Sequence, residues 1–263
     1  MGHLPTTPVP PRQPTAGIIV IGNEVLSVKV EDRNTPALLQ GLNEAGIRVG
    51  EVAIIADDEA RIAEVVSGFA ARFDLVITTG GVGPTHDDCT WKSVARAFGV
   101  AMTENPMVLA KMERRLGRPP TPEQRRLAWL PEGTELDETQ GKWPLLRLRN
   151  VYVLPGVPSL VASRLPQICA RWGGQRPQLA TSYWRCDEFE VVPAIDAVVA
   201  EFGDLEIGSY PILEPDDHKL RLTFEGWDRD RVDAAVVRAT ERIGAEQLVR
   251  VLWRGQPAAL EAQ

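Results

Sequence analysis

The apolar and polar positions of this chain follow two periods in turn, which predicts alternating strands and helices. Short apolar runs at residues 17–22 and 73–77 are typical of buried strands, and residues 49–55 are predicted to form a further strand. Segments with apolar residues at helical spacing follow each run: residues 35–46, a segment that opens at 57–58, and residues 90–98. Strands that alternate with helices indicate a parallel sheet covered by helices on both faces, so we expect a three-layer α/β fold.

Local signals predict the ends of individual elements in the same region. Thr35 is expected to cap the first long helix, with Pro36 at its first position. The remaining predicted elements are two helical pieces within residues 104–130, separated by prolines, strands at 143–148 and 151–154, and a helix at 159–172.

A second, smaller domain is predicted after a glycine and proline cluster at residues 173–177. Its predicted elements are strands at 181–186, 206–212, 219–225 and 247–252, and helices at 189–202 and 229–244. The order β-α-β-β-α-β is that of the split βαβ arrangement, an α+β fold. The expected organisation is a proline-rich tail at 1–15, a first domain at 16–174, a second domain at 178–255 and a tail at 256–263.

The composition narrows the class of protein. A hydrophobic content of 44% in 263 residues is enough to build a sizeable core. The net charge of −7, with basic residues scattered among acidic ones, argues against nucleic acid as the main partner. No apolar stretch reaches the roughly 20 residues that span a bilayer, and the amino terminus lacks a basic segment followed by an apolar core. We therefore expect a cytoplasmic protein with no membrane partner.

The cysteines and the arginine pairs are interpreted mainly as structural. Cys89, Cys169 and Cys186 are odd in number and lack Cys-x-x-Cys spacing, so neither a disulfide framework nor a structural zinc site is indicated. Cys89 adjoins an aspartate, where it is either a reactive thiol or, as we favour, a small buried residue. Arginine pairs at 114–115 and 125–126 are expected on a solvated helical face, with a phosphate contact as the alternative.

The most informative candidate site is the run Thr-Thr-Gly-Gly-Val-Gly-Pro-Thr-His-Asp-Asp at residues 78–88. It lies between a predicted strand and a predicted helix, where open α/β sheets bind ligands. Glycine lacks the Cβ that would block a ligand, so backbone N–H groups can converge there on an anion. Because the carboxylates of Asp87 and Asp88 need a cation beside such an anion, the run favours a phosphate-and-metal site over a plain turn.

Six segments make the chain resemble a known family, the molybdopterin-binding domains of the MoaB/Mog type. They occur in the family's order across residues 17–225: IGNEVLSVKVEDRNT, IADDEARI, TTGGVGPTHDDCTWKSVARAFG, LPEGTEL, RLRNVYVLPGVPS and EIGSYPILE. Of these, GGVGPTHDD is the most specific. Within the family, the chain is most similar to the amino-terminal half of competence/damage-inducible protein A (CinA) and to the amino-terminal domain of eukaryotic FAD synthase.

This resemblance implies a pterin- or nucleotide-binding α/β domain followed by a smaller, KH-like domain. The second domain shows no GxxG loop and little basic character, which argues against RNA binding. Because the chain ends before the amidase domain of CinA proteins and the adenylyl-transferring domain of FAD synthases, those two activities are expected to be absent. Relatives of the remaining domain are linked to metal-dependent cleavage of ADP-ribose or FAD, and others to adenylylation of molybdopterin or insertion of its metal.

The resemblance also implies roles for individual residues. Asp88 and Asp57 match two aspartates that Mog-like relatives use in catalysis, and such a pair can hold a divalent cation that activates water against a pyrophosphate. A helix N-cap is the alternative for Asp57. Asp87 replaces the arginine of the Mog motif, which favours metal-assisted hydrolysis and makes Asp87 and Asp88 the predicted metal ligands. His86 is a candidate general acid, or else a hydrogen-bonded loop residue.

The other candidate ligand-binding residues follow the ends of the predicted strands. They are Gly22, Asn23, Glu24, Asp32, Asn34, Thr79, Gly80, Gly81, Gly83, Pro84, Thr85, Pro155, Gly156 and Pro158. Solvated loops and strand-terminating turns are the alternative for these positions. The tryptophans and His218 are interpreted as structural.

Three functions follow from the sequence. The leading hypothesis is binding of an adenine dinucleotide or a pterin diphosphate, with hydrolysis of the pyrophosphate aided by Mg²⁺, Mn²⁺ or Co²⁺. The alternatives are a module that binds molybdopterin or a nucleotide without turnover, and a molybdenum-cofactor enzyme that adenylylates molybdopterin. We also expect a homo-oligomer.

Overall fold

A computed structural model describes residues 12–83, 85, 88–137, 143–213 and 217–256. The chain divides into two compact units, Arg12–Gln175 and a second unit that begins at Arg176. Within the described part of the chain, no helix is both long enough and apolar enough to cross a membrane.

The first unit contains a central sheet, a two-stranded ribbon and helices. Its strands are β1 (Thr15–Ile21), β2 (Arg48–Ile55), β3 (Leu75–Thr79), β4 (Met102–Glu104), β5 (Trp129–Pro131), β6 (Glu135–Asp137), β7 (Leu145–Leu148) and β8 (Val151–Leu154). Its helices are α1 (Asn23–Leu26), α2 (Asn34–Glu44), α3 (Glu59–Arg72), α4 (Thr90–Phe98), α5 (Pro106–Leu116), α6 (Pro122–Arg125), which a 3-10 turn (Arg126–Ala128) follows, and α7 (Pro158–Trp172).

The strand order of the central sheet positions the site. The order is β2-β1-β3-β8-β7-β6, in which β2, β1, β3 and β8 run parallel while β7 and β6 are antiparallel to their neighbours. The chain leaves β1 for β2 on one side and later returns to β3 on the other side. The switch point therefore lies between β1 and β3, and the crevice at their carboxyl ends is where such sheets bind ligands.

Two apolar cores lie on opposite faces of this sheet. Successive residues of a strand point to opposite faces, so Ile18 and Ile19, both fully buried, belong to different cores. Leu38 of α2 packs in the first core, which α7 also covers, and Ile62 of α3 packs in the second, which α4 also covers. The predicted three-layer α/β fold is confirmed.

The second unit is a smaller α+β domain. Its elements are β9 (Gln178–Trp184), α8 (Glu188–Glu201), β10 (Glu206–Pro211), β11 (Leu220–Gly226), α9 (Arg229–Ile243), a 3-10 turn (Ala245–Gln247) and β12 (Leu248–Trp253). The sheet order is β10-β11-β9-β12, with every neighbouring pair antiparallel. The predicted β-α-β-β-α-β order is confirmed, and the fully buried Trp184 lies in its core.

The predicted cap of α2 is wrong, and a two-stranded ribbon was not predicted. Helix α2 begins at Asn34, and the carboxylate of Asp32, not the hydroxyl of Thr35, accepts the first N–H groups at 3.0 Å. The two helical pieces predicted within residues 104–130 are confirmed as α5 and α6, but β4 and β5, which lie on either side of them and pair with each other, were not predicted. These three-residue strands are too short to show a period, and Leu130 of β5 is buried in a satellite core beneath α5.

Asp74 ties the start of β1 to the start of β3. Its carboxylate accepts hydrogen bonds from the Thr15 amide at 3.0 Å and the Thr15 hydroxyl at 2.9 Å, and it pairs with Arg12. Burial by itself would raise the pKa of Asp74, but the Thr15 hydrogen bonds and the Arg12 charge outweigh burial, so the pKa is lowered.

We expect Asp74→Asn to lower the free energy of unfolding by about 1–2 kcal/mol at pH 7, measured by urea denaturation. Because the pKa is lower in the folded state, the carboxylate stabilises the fold above the unfolded pKa of about 3.9, and this contribution is lost as pH falls through the folded pKa. The difference between wild type and variant should therefore shrink below pH 4. Asp196→Asn, at an exposed position of α8, is the control with little effect. A difference that stayed constant down to pH 2 would contradict this account.

Candidate functional site

Most of the predicted site residues lie at one edge of the central sheet. Gly22 follows β1, Asp57 follows β2, and Pro155 and Gly156 follow β8. Residues 80–83, called the glycine loop below, follow β3. Because these four strands are parallel and adjacent, their carboxyl ends bring the residues together as the sequence predicts.

Asn34 joins three of these segments. Its Nδ2 donates hydrogen bonds to Thr79 Oγ1 at 3.0 Å and to the carbonyl oxygen of Gly156 at 2.9 Å. The Thr79 hydroxyl in turn donates to the Pro155 carbonyl at 3.2 Å. Asn34 is 7% exposed, and its Oδ1 has no hydrogen-bond partner among the described residues. A buried amide oxygen of this kind can accept a hydrogen bond from a ligand.

The fold itself requires the first two glycines of the glycine loop. Gly80 and Gly81 have φ values of +101° and +59°, which favour glycine. A Cβ on Gly80 would collide with the carbonyl oxygen of Ile21, and a Cβ on Gly81 would lie 2.5 Å from Thr90 Oγ1. The Thr90 hydroxyl donates to the Gly80 carbonyl at 2.8 Å. Ligand clearance, the main sequence argument for these glycines, is therefore not their only cause.

Asp57 faces the glycine loop. Its Oδ2 accepts the Asn23 amide at 2.8 Å, and its Oδ1 lies 3.5 Å from the position of a Cβ on Gly81. The N-cap of α3 is Asp58, whose carboxylate accepts the Arg61 amide at 2.7 Å. The helix-cap alternative for Asp57 is therefore wrong.

Asp88 contacts the other end of the glycine loop. Its Oδ2 accepts the Thr85 amide at 2.9 Å and also the Thr85 hydroxyl. A Cβ on Gly83 would lie 2.5 Å from the same oxygen. The carboxylates of Asp57 and Asp88 therefore lie beside two positions of the loop, Gly81 and Gly83, that are separated by Val82.

The other predicted site residues either lie outside the described part of the chain or have a structural role near the site. Pro84, His86 and Asp87 lie outside the described residues. Asp32 caps α2, Pro158 begins α7, and the exposed Glu24 has its carboxylate over Gly22. Among the residues that the structure describes, no group of three or more His, Cys, Asp or Glu side chains could hold a metal ion.

Cys89, beside Asp88, is a buried residue. It is 6% exposed, and burial, followed by the charges of Asp57 and Glu59, raises the pKa of its thiol. A thiol of raised pKa is a poor nucleophile, so the structure agrees with the packing interpretation of Cys89.

The segment after Gly22 carries exposed apolar side chains and one strained residue. Leu26, Val28 and Val30 are 51%, 86% and 53% exposed. Val28 has a φ of +57°, a conformation that β-branched residues rarely adopt. The segment therefore holds strain beside the candidate site.

We expect Val28→Gly to raise the free energy of unfolding by about 1 kcal/mol, because glycine relieves the strain at positive φ at some cost in unfolded-chain entropy. Val30→Gly is the matched control, because Val30 is also exposed but is not among the described residues of positive φ. It should lower stability by about 0.5–1 kcal/mol. Urea denaturation measures both, and a shift of the same sign in the two variants would contradict the strain argument.

Three residues that the sequence did not assign to the site lie at the glycine loop or in a cavity that the loop also lines. Thr90, fully buried, closes the glycine turn from the first position of α4. Trp91 and Trp143, interpreted from the sequence as structural, line a cavity that Gly83 also lines. The position of Trp91 directly after the glycine-rich run was the available signal. Trp143 had none, because it is far from that run in sequence.

The four parallel strand ends, the glycine turn at a switch point and the two carboxylates define an open-sheet α/β protein with a candidate site at the carboxyl edge of its sheet. The family described as "Probable molybdopterin binding domain" matches residues 17–172, and the family described as "FAD synthase, middle domain" matches residues 178–252. The chain belongs to the molybdopterin-binding domain family, and the resemblance found in the sequence is confirmed.

The chain is similar to proteins named FAD synthase and to proteins named CinA-like. A "Probable FAD synthase" of Caenorhabditis elegans is 29% identical over 89% of this chain and 51% of its own length. A "CinA-like protein" of Synechococcus sp. is 30% identical over 87% of this chain and 59% of its own. A protein of Archaeoglobus fulgidus is 32% identical over 83% of this chain and 93% of its own. The chain thus spans about half the length of the FAD synthase relative.

One solved structure supports the fold of the first unit. The crystal structure of the protein CinA with unknown function from Thermoplasma acidophilum matches with a TM-score of 0.55 and 26% identity. The match covers 60% of this chain and 96% of that one.

Proposed function

We propose that the first unit binds an adenine dinucleotide or a pterin diphosphate at the carboxyl edge of its sheet and hydrolyses the pyrophosphate with the help of a divalent metal. The observation that carries the proposal is the position of Asp57 and Asp88, whose carboxylates lie beside Gly81 and Gly83 of the glycine loop. A turn at a switch point presents backbone N–H groups to phosphates, and two carboxylates beside it can serve a cation.

The side chains fit a hard divalent cation. Carboxylate oxygens suit Mg²⁺ and Mn²⁺, and Mg²⁺ is commonly held by one or two carboxylates together with substrate phosphates. Asp57 and Asp88 would hold the ion, with Asp87 as a further predicted ligand. When bound, the ion would polarise the phosphoryl oxygens and lower the pKa of a bound water.

The chain's own groups would orient the ligand. The glycine loop supplies backbone N–H groups for the phosphates, and the buried Oδ1 of Asn34 can accept a ligand N–H or O–H. In hydrolysis, water adds to one phosphorus and the bridging oxygen leaves with the other phosphate. For FAD, the products would be FMN and AMP.

A binding module without turnover is the second candidate. It is favoured by the two hydrogen bonds that Asp88 Oδ2 accepts from Thr85, because these assign the carboxylate a part in shaping the loop. On this alternative, Asp88 holds the loop in its binding conformation and performs no chemistry.

Product chromatography distinguishes the two candidates. The protein is incubated with FAD, ADP-ribose, NAD or molybdopterin, with and without Mg²⁺, Mn²⁺ or Co²⁺. We expect metal-dependent release of a mononucleotide from at least one ligand, abolished by EDTA. Binding without products in every combination would favour the module. Hydrolysis at full rate in EDTA would contradict the role of the metal.

A further inference from the structure

Helices α8 and α9 cover one face of the sheet in the second unit. Trp184 and Leu222 point to that side and lie in its apolar core. The residues next to them along each strand point to the opposite side, which we call the open face. Tyr210 on the open face is 45% exposed, and Tyr183 and Arg221 are half-buried. The open face therefore presents aromatic and charged side chains at the surface of the unit.

One row of aromatic and basic side chains crosses all four strands of the open face. In register, this arginine row consists of Tyr210, Arg221, Tyr183 and Arg250. The guanidinium of Arg221 lies 4.9 Å from the ring centre of Tyr210. Arg250 lies 4.3 Å from the ring centre of Tyr183 and pairs with Asp217. Arg221 has no carboxylate partner among the residues that the structure describes, and its Nε has no hydrogen-bond partner there. One charge of the row is therefore left without a counter-ion in this part of the chain.

A second row, called the glutamate row, carries the opposite charge. Glu206 of β10 and Glu225 of β11 lie directly opposite each other, with Leu179 of β9 next in register. Like charges at opposite positions destabilise a sheet. Arg254, just after β12, pairs with Glu225 at 3.2 Å. Burial and the charge of Glu206 nevertheless raise the pKa of Glu225, although Arg254 and Arg176 act in the other direction. The positive charges of the same chain therefore do not fully compensate Glu225.

The row between these two contains small or apolar residues. This middle row consists of Gly208, Thr223, Thr181 and Leu252. A two-fold axis along the middle row, between two open faces, places each strand antiparallel over its own copy. The arginine row of each copy then lies over the glutamate row of the other.

The residues that meet in this arrangement have complementary chemistry. On β11, Arg221 meets Glu225 of the second copy, so the arginine that lacks a counter-ion reaches the carboxylate that needs one. On β9, Tyr183 meets Leu179 of the second copy. On β12, Arg250 and Arg254 meet, but each is paired with a carboxylate of its own copy.

We propose that two copies of this chain pair through the open faces of their second units, about a two-fold axis along the middle row. The inference goes beyond the proposed function, because it concerns the second unit and needs no ligand. The opposite charges on β11 favour a second copy as the occupant. Single-stranded nucleic acid also stacks on aromatic side chains, but it binds in a positively charged groove, whereas half of this face is acidic.

Sedimentation velocity of the full chain over a range of concentrations tests the proposal. The open face holds fewer residues than the roughly 20–30 a side of a standard interface, so we expect a weak dimer that forms at micromolar concentrations or above. A single chain at every concentration would overturn the proposal. If oligo-uridine bound to this single chain, and Tyr183→Ala abolished the binding, the open face would be assigned to nucleic acid.

Charge reversal on β11 locates the interface. Arg221→Glu and Glu225→Arg should each raise the dissociation constant by about tenfold or more, because each homodimer then contains two like-charge contacts. An equal mixture of the two variants should associate as tightly as wild type. In the mixed dimer the two reversed residues meet each other, and the native pair remains at the second contact. Carrying both changes in one chain should restore association in the same way.

Arg229→Glu is the matched control. Arg229 also lies over an aromatic ring, 4.0 Å from the ring centre of Trp253, but it begins α9 on the other side of the sheet. This change should not affect association. Thr223→Lys, which leaves both charged rows intact, should weaken association because it places two cations at the axis. Circular dichroism checks that each variant is folded. Folded single variants that associate like wild type, or a mixture that does not recover association, would overturn the proposal.

Discussion

Replacing either Asp57 or Asp88 by asparagine is expected to lower the rate of pyrophosphate hydrolysis by about 100-fold or more, the size of effect that follows removal of an electrostatic stabiliser. An asparagine at either position keeps an oxygen that can accept the local backbone hydrogen bond, from Asn23 for position 57 and from Thr85 for position 88. The variants should therefore stay folded while they lose a charge. Initial rates at saturating metal measure the loss of hydrolysis. Urea denaturation measures whether the free energy of unfolding is unchanged.

Asp58 provides a matched control for Asp57. The two aspartates are adjacent, but the Asp58 carboxylate caps α3 through the Arg61 amide. Because asparagine is an equally good N-cap, Asp58→Asn should change neither stability nor hydrolysis. Rates unaffected by Asp57→Asn and Asp88→Asn would leave the binding module as the better account. Equal loss of activity in Asp58→Asn would show that the effect is a general consequence of lost charge.

The sheet and its edge could be predicted because their sequence signals are local and strong. The runs that form β1 and β3 are short and apolar, since helices cover both faces of these central strands. The edge strand β2 is more exposed, but it was still recognised from Val49 to Ile55. The order of the three strands along the chain, alternating with helices, was enough to place Gly22, Asp57 and Gly80 at one edge. The sequence also identified Asp57, but it did not show that Asp58 would be the helix cap.

Contacts between distant segments could not be predicted in the same way. The bonds from Asn34 to Thr79 and Gly156 join positions 45 and 122 residues apart. The cavity likewise brings together Trp91, Trp143 and Arg164, whose places in sequence carry no common pattern. Such placements depend on how the helices pack over the sheet. The spacing of apolar residues along the chain carries no information about that packing. The very short β4 and β5 were missed for a different reason, because three residues show no period.

Gly81→Val is expected to lower the free energy of unfolding by about 3–5 kcal/mol, because two costs add at this position. A β-branched residue is strained at φ +59°, and its Cβ would lie 2.5 Å from the buried Thr90 hydroxyl. The sequence argument for Gly81 concerns only room for a ligand, whereas the structure predicts a loss of stability as well. Gly83→Val differs, because its Cβ would displace the Asp88 carboxylate. That variant should remain folded and lose hydrolysis.

Gly99→Val is a control that separates the backbone strain at Gly81 from the steric contact with Thr90. It has a similar φ of +65°, but no atom lies within 4 Å of the position of its Cβ. Gly99→Val should therefore lower stability by the backbone cost only, about 1–2 kcal/mol. Urea denaturation of both variants gives the contribution of the Thr90 contact as the difference between them. Equal losses would show that the contact with Thr90 relaxes at no cost. A Gly81→Val variant as stable as wild type would mean that the glycine loop does not hold the conformation from which the site at Asp57 and Asp88 is built.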